Sequence, residues 1–261
     1  MLFAPGCLHS WSKENFYAAA VNKSLMPAAA AAPPAPPAPP RGGGRDPTMI
    51  FHRYKAIFFH IGKTAGSSIE QMIAPGTRDP YLANRHEMYG FDEKLNIYLH
   101  HASCRTTRDI VDAEIFDSYF KFAIVRNPYT RMISAYYYLY DQNRELYGDF
   151  KDFIMALPEL AAHPEKLRGS HQISQLHYTH LDGAQVADYI GRFEQLDVCI
   201  AEINARLGLE ATLPTVNATQ HPDYPARDKG AAYDDEMIAV MRNVYADDFT
   251  VYGYGDAPPR A

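Results

Sequence analysis

The stretch AIFFHIGKTAGSSIEQ, residues 56–71, carries the strongest structural signal in the chain. It begins with four apolar residues rich in β-formers, and a glycine soon interrupts the run, which predicts a short buried strand. Ile69, Met72 and Ile73 then follow at helical spacing. The first turn of a helix presents unpaired N–H groups and the positive end of the helix dipole. Residues 62–68, between strand and helix, are therefore predicted to form an anion site.

The composition of this loop suits phosphate or a phosphate-like group. Glycine allows a sharp turn and close approach to a ligand, the small hydroxyl residues add donors, and the lysine adds a mobile cation. The candidate ligands are Gly62, Lys63, Thr64, Ala65, Gly66, Ser67 and Ser68. A P-loop for a nucleoside triphosphate needs a glycine five residues before Gly62, where this chain has Ile57. The alternative without a ligand is an ordinary strand–helix turn with an exposed lysine.

A second strand–helix junction occurs in FKFAIVRNPYTRMISAYYY, residues 120–138. Residues 122–125 form another apolar run that predicts a buried strand, and Arg126 stands at its end. Pro128 suits the first turn of a following helix. Ser134 lies two turns along that helix and can converge with Arg126. A guanidinium fork and a hydroxyl are well suited to a phosphomonoester.

Both stretches resemble the nucleotide-binding motifs of sulfotransferases that use 3′-phosphoadenosine 5′-phosphosulfate (PAPS). The first is similar to the 5′-phosphosulfate loop of the carbohydrate branch, which acts on heparan- and chondroitin-type chains and commonly reads H-I-P-K-T-A-G-T-S. Gly62 stands where proline is common, and Ser67 where threonine is common. The second matches the 3′-phosphate motif R-[ND]-P-x-x-R-x-x-S-x-Y at residues 126–136. The resemblance implies that residues 62–68 hold the 5′ end of the nucleotide.

It also implies that Arg126 and Ser134 hold the 3′-phosphate, and that Lys63 is catalytic. Arg131 falls on the second arginine of the motif. We leave open whether it contacts the nucleotide or pairs with an acidic neighbour.

A candidate general base lies between the two motifs. Residues 95–101, LNIYLHH, predict a short strand that ends in two histidines, and histidine has an ordinary pKa close to neutrality. Neighbouring residues on a strand point to opposite faces, so only one of the two can face the site. The family has a catalytic histidine in a comparable position. We favour His101, with His100 and then His86 as alternatives to it, and a surface or capping histidine as the alternative without function.

The overall composition bounds the class of protein. The chain is 47% hydrophobic and 21% charged, which is typical of a soluble globular protein with one domain. The net charge of −6 argues against a general nucleic-acid binder, because such proteins usually carry a basic face. A bound anion must then be held by a local cluster of cations.

The N-terminal segment differs from the rest. Residues 1–47 are rich in Ala, Pro and Gly and are predicted to be disordered, whereas residues 48–261 are predicted to form a sulfotransferase domain. We find neither an apolar run of about 18 residues nor a secretory signal, so we expect no membrane anchor and a cytoplasmic location. Golgi sulfotransferases of this kind usually carry such an anchor. Met49 is a candidate for the true start.

The three cysteines are too widely spaced for a metal knuckle, and we predict no metal site. Their odd number favours a reducing compartment, although a bridge between Cys104 and Cys199 stays open. In the C-terminal half, Asp182 and Gly183 predict a hairpin turn, and residues 195–207 predict an amphipathic helix. The segments DYIGRFEQL, LPTVNAT and YADDFTVYGY also resemble the family, without assigned contacts. The histidines of this half could line a cleft, with surface positions as the default expectation, namely His171, His177, His180 and His221.

Buried strands that are each followed by a helix predict an α/β fold with a central, mostly parallel sheet flanked by helices. The resemblance implies the P-loop-like sulfotransferase fold, with the ligand at the carboxyl ends of the strands. It further implies in-line transfer of a sulfuryl group from PAPS to an acceptor hydroxyl. The branch resemblance favours a carbohydrate acceptor, and glycolipids, small phenols and peptide tyrosines stay open. His101 would accept the hydroxyl proton, and Lys63 would stabilise charge on the leaving bridging oxygen.

Two other functions stay open at this point. An ATP-dependent small-molecule kinase using the Gly-Lys-Thr loop would need magnesium and would be indifferent to a 3′-phosphate. A catalytically inactive family member would bind the nucleotide without transferring anything.

Overall fold

The structure is a computed structural model, and it describes residues 49–76, 83–138, 140–162, 171–216, 221–224 and 230–259. All of these residues belong to one compact unit, Arg41–Ala261. The predicted disordered segment, residues 1–47, lies outside the described residues, so the predicted domain boundary stays a prediction.

The described residues form a mixture of strands and helices, as the sequence predicts for an α/β protein. The strands are β1 (Ile50–Phe51), β2 (Ala56–Phe59), β3 (Phe91–Asp92), β4 (Ile97–Tyr98), β5 (Phe120–Val125), β6 (His180–Leu181), β7 (Ala184–Gln185) and β8 (Tyr189–Arg192). The helices are α1 (Gly66–Ile73), α2 (Cys104–Ile110), α3 (Ala113–Ser118), α4 (Pro128–Tyr138), α5 (Tyr140–Tyr147), α6 (Phe150–Met155), α7 (Leu157–Ala162), α8 (Leu176–Thr179), α9 (Leu196–Leu207), α10 (Asp235–Val244) and α11 (Ala246–Val251).

The central sheet has the strand order β1-β2-β5-β8. Strands β2, β5 and β8 run parallel, and β1 joins the edge antiparallel to β2. Phe58 pairs with Phe122 across β2 and β5, and their rings stack at 4.9 Å. The predicted mostly parallel sheet is therefore confirmed.

Both faces of this sheet are covered, which explains why β2 and β5 are apolar at every position of their central part. Phe58 and Phe122 point to the face covered by α1 and α9, whereas Phe59 and Val125 point to the opposite face, beside α2, α3 and α8. A strand buried on both faces has no polar alternation, because each side chain along it enters a core. A third cluster packs α4, α6, α7, α10 and α11 against one another.

Several local predictions hold. Asp182 and Gly183 form the turn between β6 and β7, with φ values of 52° and 83°. Helix α9 ends at Gly208, whose φ of 64° is left-handed, as is common at helix ends. Cys104 and Cys199 are buried and free, so the bridge between them is not formed.

Two local predictions are wrong. Residues 95–101 are not one strand: β4 is short and pairs with β3 in a separate hairpin, and Leu99–His101 forms a 3₁₀ turn. The sequence of residues 104–119, with Ile110, Val111, Ile115 and Phe116 as one apolar side, predicts a helix, but the structure divides it into α2 and α3. The break follows from a cap, because the Asp112 carboxylate accepts a hydrogen bond from the N–H of Glu114 and begins a new helix.

Candidate functional site

The carboxyl ends of β2, β5 and β8 meet at one edge of the sheet, because these strands run parallel. A loop of residues 60–65 follows β2, Arg126 follows β5, and Phe193 follows β8. A cleft of about 410 Å³ lies between them. Its lining includes most of the predicted anion ligands, namely Gly62, Lys63, Ala65, Gly66, Ser67, Ser68, Arg126 and Ser134. The structure therefore brings the two predicted anion-binding motifs together in one place.

The backbone of the 60–65 loop is unusual for residues that carry a side chain. Lys63 and Ala65 have φ values of 70° and 68°, in the left-handed region that L-residues rarely adopt. The Thr64 hydroxyl donates to the carbonyl of Ile61 at 2.8 Å, which ties the turn from within. Thr64 is fully buried and lies outside the cleft lining. Its side chain therefore supports the loop, and its neighbours face the cleft.

Lys63 projects into the cleft from this strained loop. Its ammonium nitrogen lies 3.4 Å from the centroid of the Tyr138 ring, which is a close cation–π contact. Burial, and then the nearby charge of Arg126, lower the pKa of Lys63 to about 7. The amine is therefore poised near neutrality, where a bound anion would favour its charged form.

Arg126 is buried at the end of β5, and its guanidinium is fixed on several sides. Its Nε donates to the Thr130 hydroxyl at 3.0 Å, and Nη1 donates to the carbonyl of Lys63 at 3.0 Å. The guanidinium carbon also lies 4.1 Å from the centroid of the Phe193 ring. Ser134 lines the same side of the cleft from α4. The arginine is thus held in one orientation before any ligand binds.

Arg131 makes backbone contacts that the sequence did not predict. It is fully buried on α4 and lies outside the cleft lining. Its Nε donates to the carbonyl of Gly62 at 3.1 Å, and Nη1 donates to the carbonyl of Ile173 at 2.9 Å. Arg131 therefore ties α4 to the 60–65 loop through the carbonyl of Gly62.

The two candidate histidines occupy different environments. His101 lines the cleft, and its Nδ1 lies 3.1 Å from the backbone carbonyl of His60. A carbonyl only accepts, so Nδ1 carries the proton and Nε2 keeps its lone pair. Burial lowers the pKa of His101 well below its ordinary value, and the charge of His60 adds to this effect. His100 lies outside the lining and stacks on Tyr89 at 4.9 Å between ring centroids.

His86, the third candidate, stacks on His52 at 4.4 Å and is not part of the cleft lining. The geometry thus brings His101 to the anion-binding residues and leaves His100 and His86 apart from them.

Sequence reasoning missed His60, which lines the cleft directly after β2. Its Nδ1 lies 2.8 Å from Oε1 of Glu70, and both side chains are buried. Its position at a strand end, next to the predicted anion loop, was an available signal. Glu70 lies one turn into α1, so helical spacing could have paired it with residues near Gly66.

His171 and Tyr138 also line the cleft without having been predicted there. Burial, and then the charge of Lys63, lower the pKa of His171 to about 3. Its ring lies 5.8 Å from that of His101 and 5.5 Å from that of Tyr138. His171 therefore takes the alternative left open for these histidines and lines the cleft, whereas His177, His180 and His221 stay outside the lining. Of the tyrosines that follow Ser134 on α4, Tyr136 is buried in the core, whereas Tyr138 is exposed to the cleft.

Another part of the cleft lining is mostly apolar. It includes Phe193 and Leu196 after β8, and Leu213 with Val216 from the following loop. The N–H of Val216 donates to the Ser68 hydroxyl at 3.1 Å, which joins this part of the lining to α1. The lining of the cleft therefore combines cationic and apolar residues.

Among the described residues, no group of three or more His, Cys, Asp or Glu side chains is arranged to hold a metal ion. Within the same residues, none of the helices is both long enough and apolar enough to cross a membrane.

Comparison with known families agrees with the geometry. A family model described as "Sulfotransferase family" matches residues 46–255, which is most of the chain. No curated protein and no solved structure gives a significant match. The match includes both strand–helix junctions that form the cleft.

Proposed function

We propose that this chain, which belongs to the sulfotransferase family, transfers a sulfuryl group from PAPS to a hydroxyl group of a saccharide. The observation that carries the proposal is the meeting of two separate anion-binding groups in one cleft. Residues 62–68 form one group, and Arg126 with Ser134 forms the other. A nucleotide with anions at both its 5′ and 3′ positions suits this pair.

The residues present fit such a nucleotide. The cationic residues of the lining suit the anionic groups, and the apolar Leu196, Leu213 and Val216 suit an adenine ring. A cleft of about 410 Å³ is within the range of small-molecule sites. The described lining contains no Asp or Glu, and Mg²⁺ prefers carboxylate oxygens. This donor set argues against the magnesium-dependent kinase.

At the 5′ end, the positive start of α1 and the loop N–H groups would hold the phosphate. The N–H of Ser68 already donates to the carbonyl of Ala65 at 3.0 Å, so the earlier residues of the loop are better placed than Ser68. Lys63 would stabilise the negative charge that develops on the bridging oxygen as its bond to sulfur breaks.

At the 3′ end, Arg126 and the Ser134 hydroxyl would bind the phosphomonoester. Because the guanidinium is already held by Thr130 and by the carbonyl of Lys63, little conformational freedom is lost on binding. This contact would distinguish the nucleotide from ATP and AMP, which lack the 3′-phosphate.

PAPS supplies an activated sulfuryl group, and His101 would act on the acceptor. Its Nε2 lone pair can take the proton of the acceptor hydroxyl as the oxygen forms its bond to sulfur. The lowered pKa keeps the ring neutral at pH 7, which is the form that a base requires. The resemblance of residues 60–68 to the carbohydrate branch favours a saccharide as the acceptor.

Calorimetric titration tests the nucleotide. We expect 3′-phosphoadenosine 5′-phosphate (PAP) to bind without magnesium and more tightly than AMP or ATP. Arg126→Ala should abolish the preference of the protein for PAP over AMP. Preference for ATP with magnesium would overturn the proposal in favour of the kinase.

The acceptor is tested with radiolabelled PAPS and a panel of desulfated heparan and chondroitin chains, simple phenols and tyrosine peptides. Label should appear in the polysaccharides. Label only in phenols or peptides would contradict the saccharide proposal. Binding of PAP with no transfer to any acceptor would favour an inactive family member.

A further inference from the structure

His60 and Glu70 form a buried pair that has no role in the mechanism proposed above. His60 is 5% exposed and Glu70 is 7% exposed, yet His60 reaches the cleft lining. The Nδ1–Oε1 distance of 2.8 Å shows that Glu70 orients the ring. Because Nδ1 is taken by the carboxylate, Nε2 is the nitrogen left for a ligand.

The ring of His60 lies directly against the beginning of α1. A Cβ on Gly66 would overlap Cδ2 and Nε2 of the ring, so only glycine allows this approach. Nε2 therefore lies beside the helix start, where the loop offers its positive end to an anion. Gly66 lines the cleft at the same place.

The charge of Glu70 requires an explanation at this position. A buried carboxylate next to an anion site would repel the ligand unless a proton on its partner compensates for it. His60 is the partner in contact, and a proton on both of its nitrogens makes the pair neutral overall. It also turns Nε2 into a donor that points toward the cleft side of the pair.

We propose that His60, held in its protonated form by Glu70, donates from Nε2 to the anionic group at the 5′ end of the bound nucleotide. The inference rests on the proposed function, because it takes a 5′-phosphate or 5′-phosphosulfate as the ligand. The two neighbouring histidines, His60 and His101, then have different roles. His60 is a fixed cation that binds the anion, and His101, held by a neutral carbonyl, stays free to accept a proton.

Two substitutions at His60 separate the nitrogens. His60→Asn keeps a donor near Nδ1, toward Glu70, and removes Nε2. His60→Gln places an amide nitrogen near Nε2 and gives up the contact with Glu70. Each variant is titrated with PAP and with adenosine 3′-phosphate, which lacks the 5′ group.

We expect His60→Asn to lose ten- to a hundredfold in affinity for PAP, about the worth of one charge-assisted hydrogen bond, and to keep its affinity for adenosine 3′-phosphate. His60→Gln should lose clearly less affinity for PAP than His60→Asn does. Equal losses in the two variants, or a loss shared by both ligands, would show that His60 only supports the loop and would overturn the inference.

The titrations also distinguish this inference from the proposed function. If the wild-type protein does not prefer PAP to adenosine 3′-phosphate, the proposed function fails at its 5′ site. If the wild type prefers PAP to adenosine 3′-phosphate and His60→Asn keeps the same preference, only the inference fails. Thermal unfolding checks that each variant is folded. Should His60→Asn not fold, retention of the PAP preference by His60→Gln supports the inference and its loss overturns it.

The role of Glu70 is tested with Glu70→Gln, which keeps an oxygen acceptor for Nδ1 and removes the charge. The neighbouring histidines His100, His101 and His171 are unchanged in this variant. If the charge of Glu70 is what makes Nε2 of His60 a strong donor, affinity for PAP should fall in Glu70→Gln, whereas affinity for adenosine 3′-phosphate should not. Equal affinity of Glu70→Gln and the wild type for PAP would contradict the role of Glu70.

Discussion

The two cationic ends of the cleft hold their charges in different ways. Arg126 is fixed by hydrogen bonds to Thr130 and to the carbonyl of Lys63, and its guanidinium covers the ring of Phe193. Lys63 extends from a strained loop and rests its ammonium on the face of Tyr138. A rigid fork suits a phosphate whose charge stays constant, whereas a lysine on a flexible stem can follow charge that moves during a reaction.

The backbone shows the same contrast. Arg126 follows a regular strand and precedes a helix that begins at Pro128, so no unusual conformation is needed there. Lys63 and Ala65 both adopt left-handed φ values, which cost free energy in residues with a Cβ. The strain thus lies where bond breaking is proposed, and not where the 3′-phosphate is proposed to bind.

The largest expected effect concerns the base beside the strained loop. His101→Ala should lower kcat by about 10²–10⁴, because the acceptor hydroxyl loses its proton acceptor. The pKa of His101 is well below 6.5, so the wild-type kcat/KM should fall only at a pH clearly below that value. Steady-state kinetics across pH 5 to 9 measures both quantities.

The matched control is His100→Ala, since His100 stacks on Tyr89 outside the cleft lining. A larger loss of kcat in His100→Ala than in His101→Ala would move the base to His100.

Lys63→Met should be next in size. We expect kcat to fall by about 10²–10³ while KM for PAPS changes little, because the proposed contact strengthens only as the bridging oxygen becomes charged. Lys63→Arg keeps the charge and should retain part of the rate. A higher KM with normal kcat would show that Lys63 binds the nucleotide as Arg126 does, and the contrast between the two ends would disappear.

Arg126→Lys examines the other end of the cleft. A lysine keeps the charge but loses the fork, so affinity for PAP should drop by about tenfold, the worth of one hydrogen bond to a charged group. Affinity for AMP serves as the internal control and should be nearly unchanged. An equal loss for both nucleotides would mean that Arg126 does not contact the 3′-phosphate.

Tyr138→Leu should have the smallest effect. The aromatic face favours the charged form of Lys63, so its removal should lower the pKa of Lys63 below its value of about 7, by about one unit or less. Carbon-13 NMR of the lysine side chain follows this titration. Tyr138→Phe keeps the ring and should leave the pKa where it is. A rise of the pKa in Tyr138→Leu would mean that the ring acts mainly by burying the amine.

The sequence was sufficient for the local features of the site. The runs at residues 56–59 and 122–125, each stopped by a polar or glycine-containing turn, predicted the two strands on which the cleft depends. Such signals are readable because strand and helix periods act between residues close in the chain. The parallel sheet then followed, since connections through helices bring successive strand ends to one edge.

Tertiary packing determined which individual side chains face the cleft. Thr64 turned inward and Arg131 bound loop carbonyls, although both belong to motifs that predicted or allowed ligand contact. His171 lines the cleft although its segment carries no local sequence signal for a site, whereas His100 stacks on Tyr89. The direction of a side chain depends on burial and on partners far away in sequence, which no local pattern encodes. The chain sequence thus predicted the two strand–helix junctions as anion sites, and the folded contacts decided which residues at those junctions face the cleft.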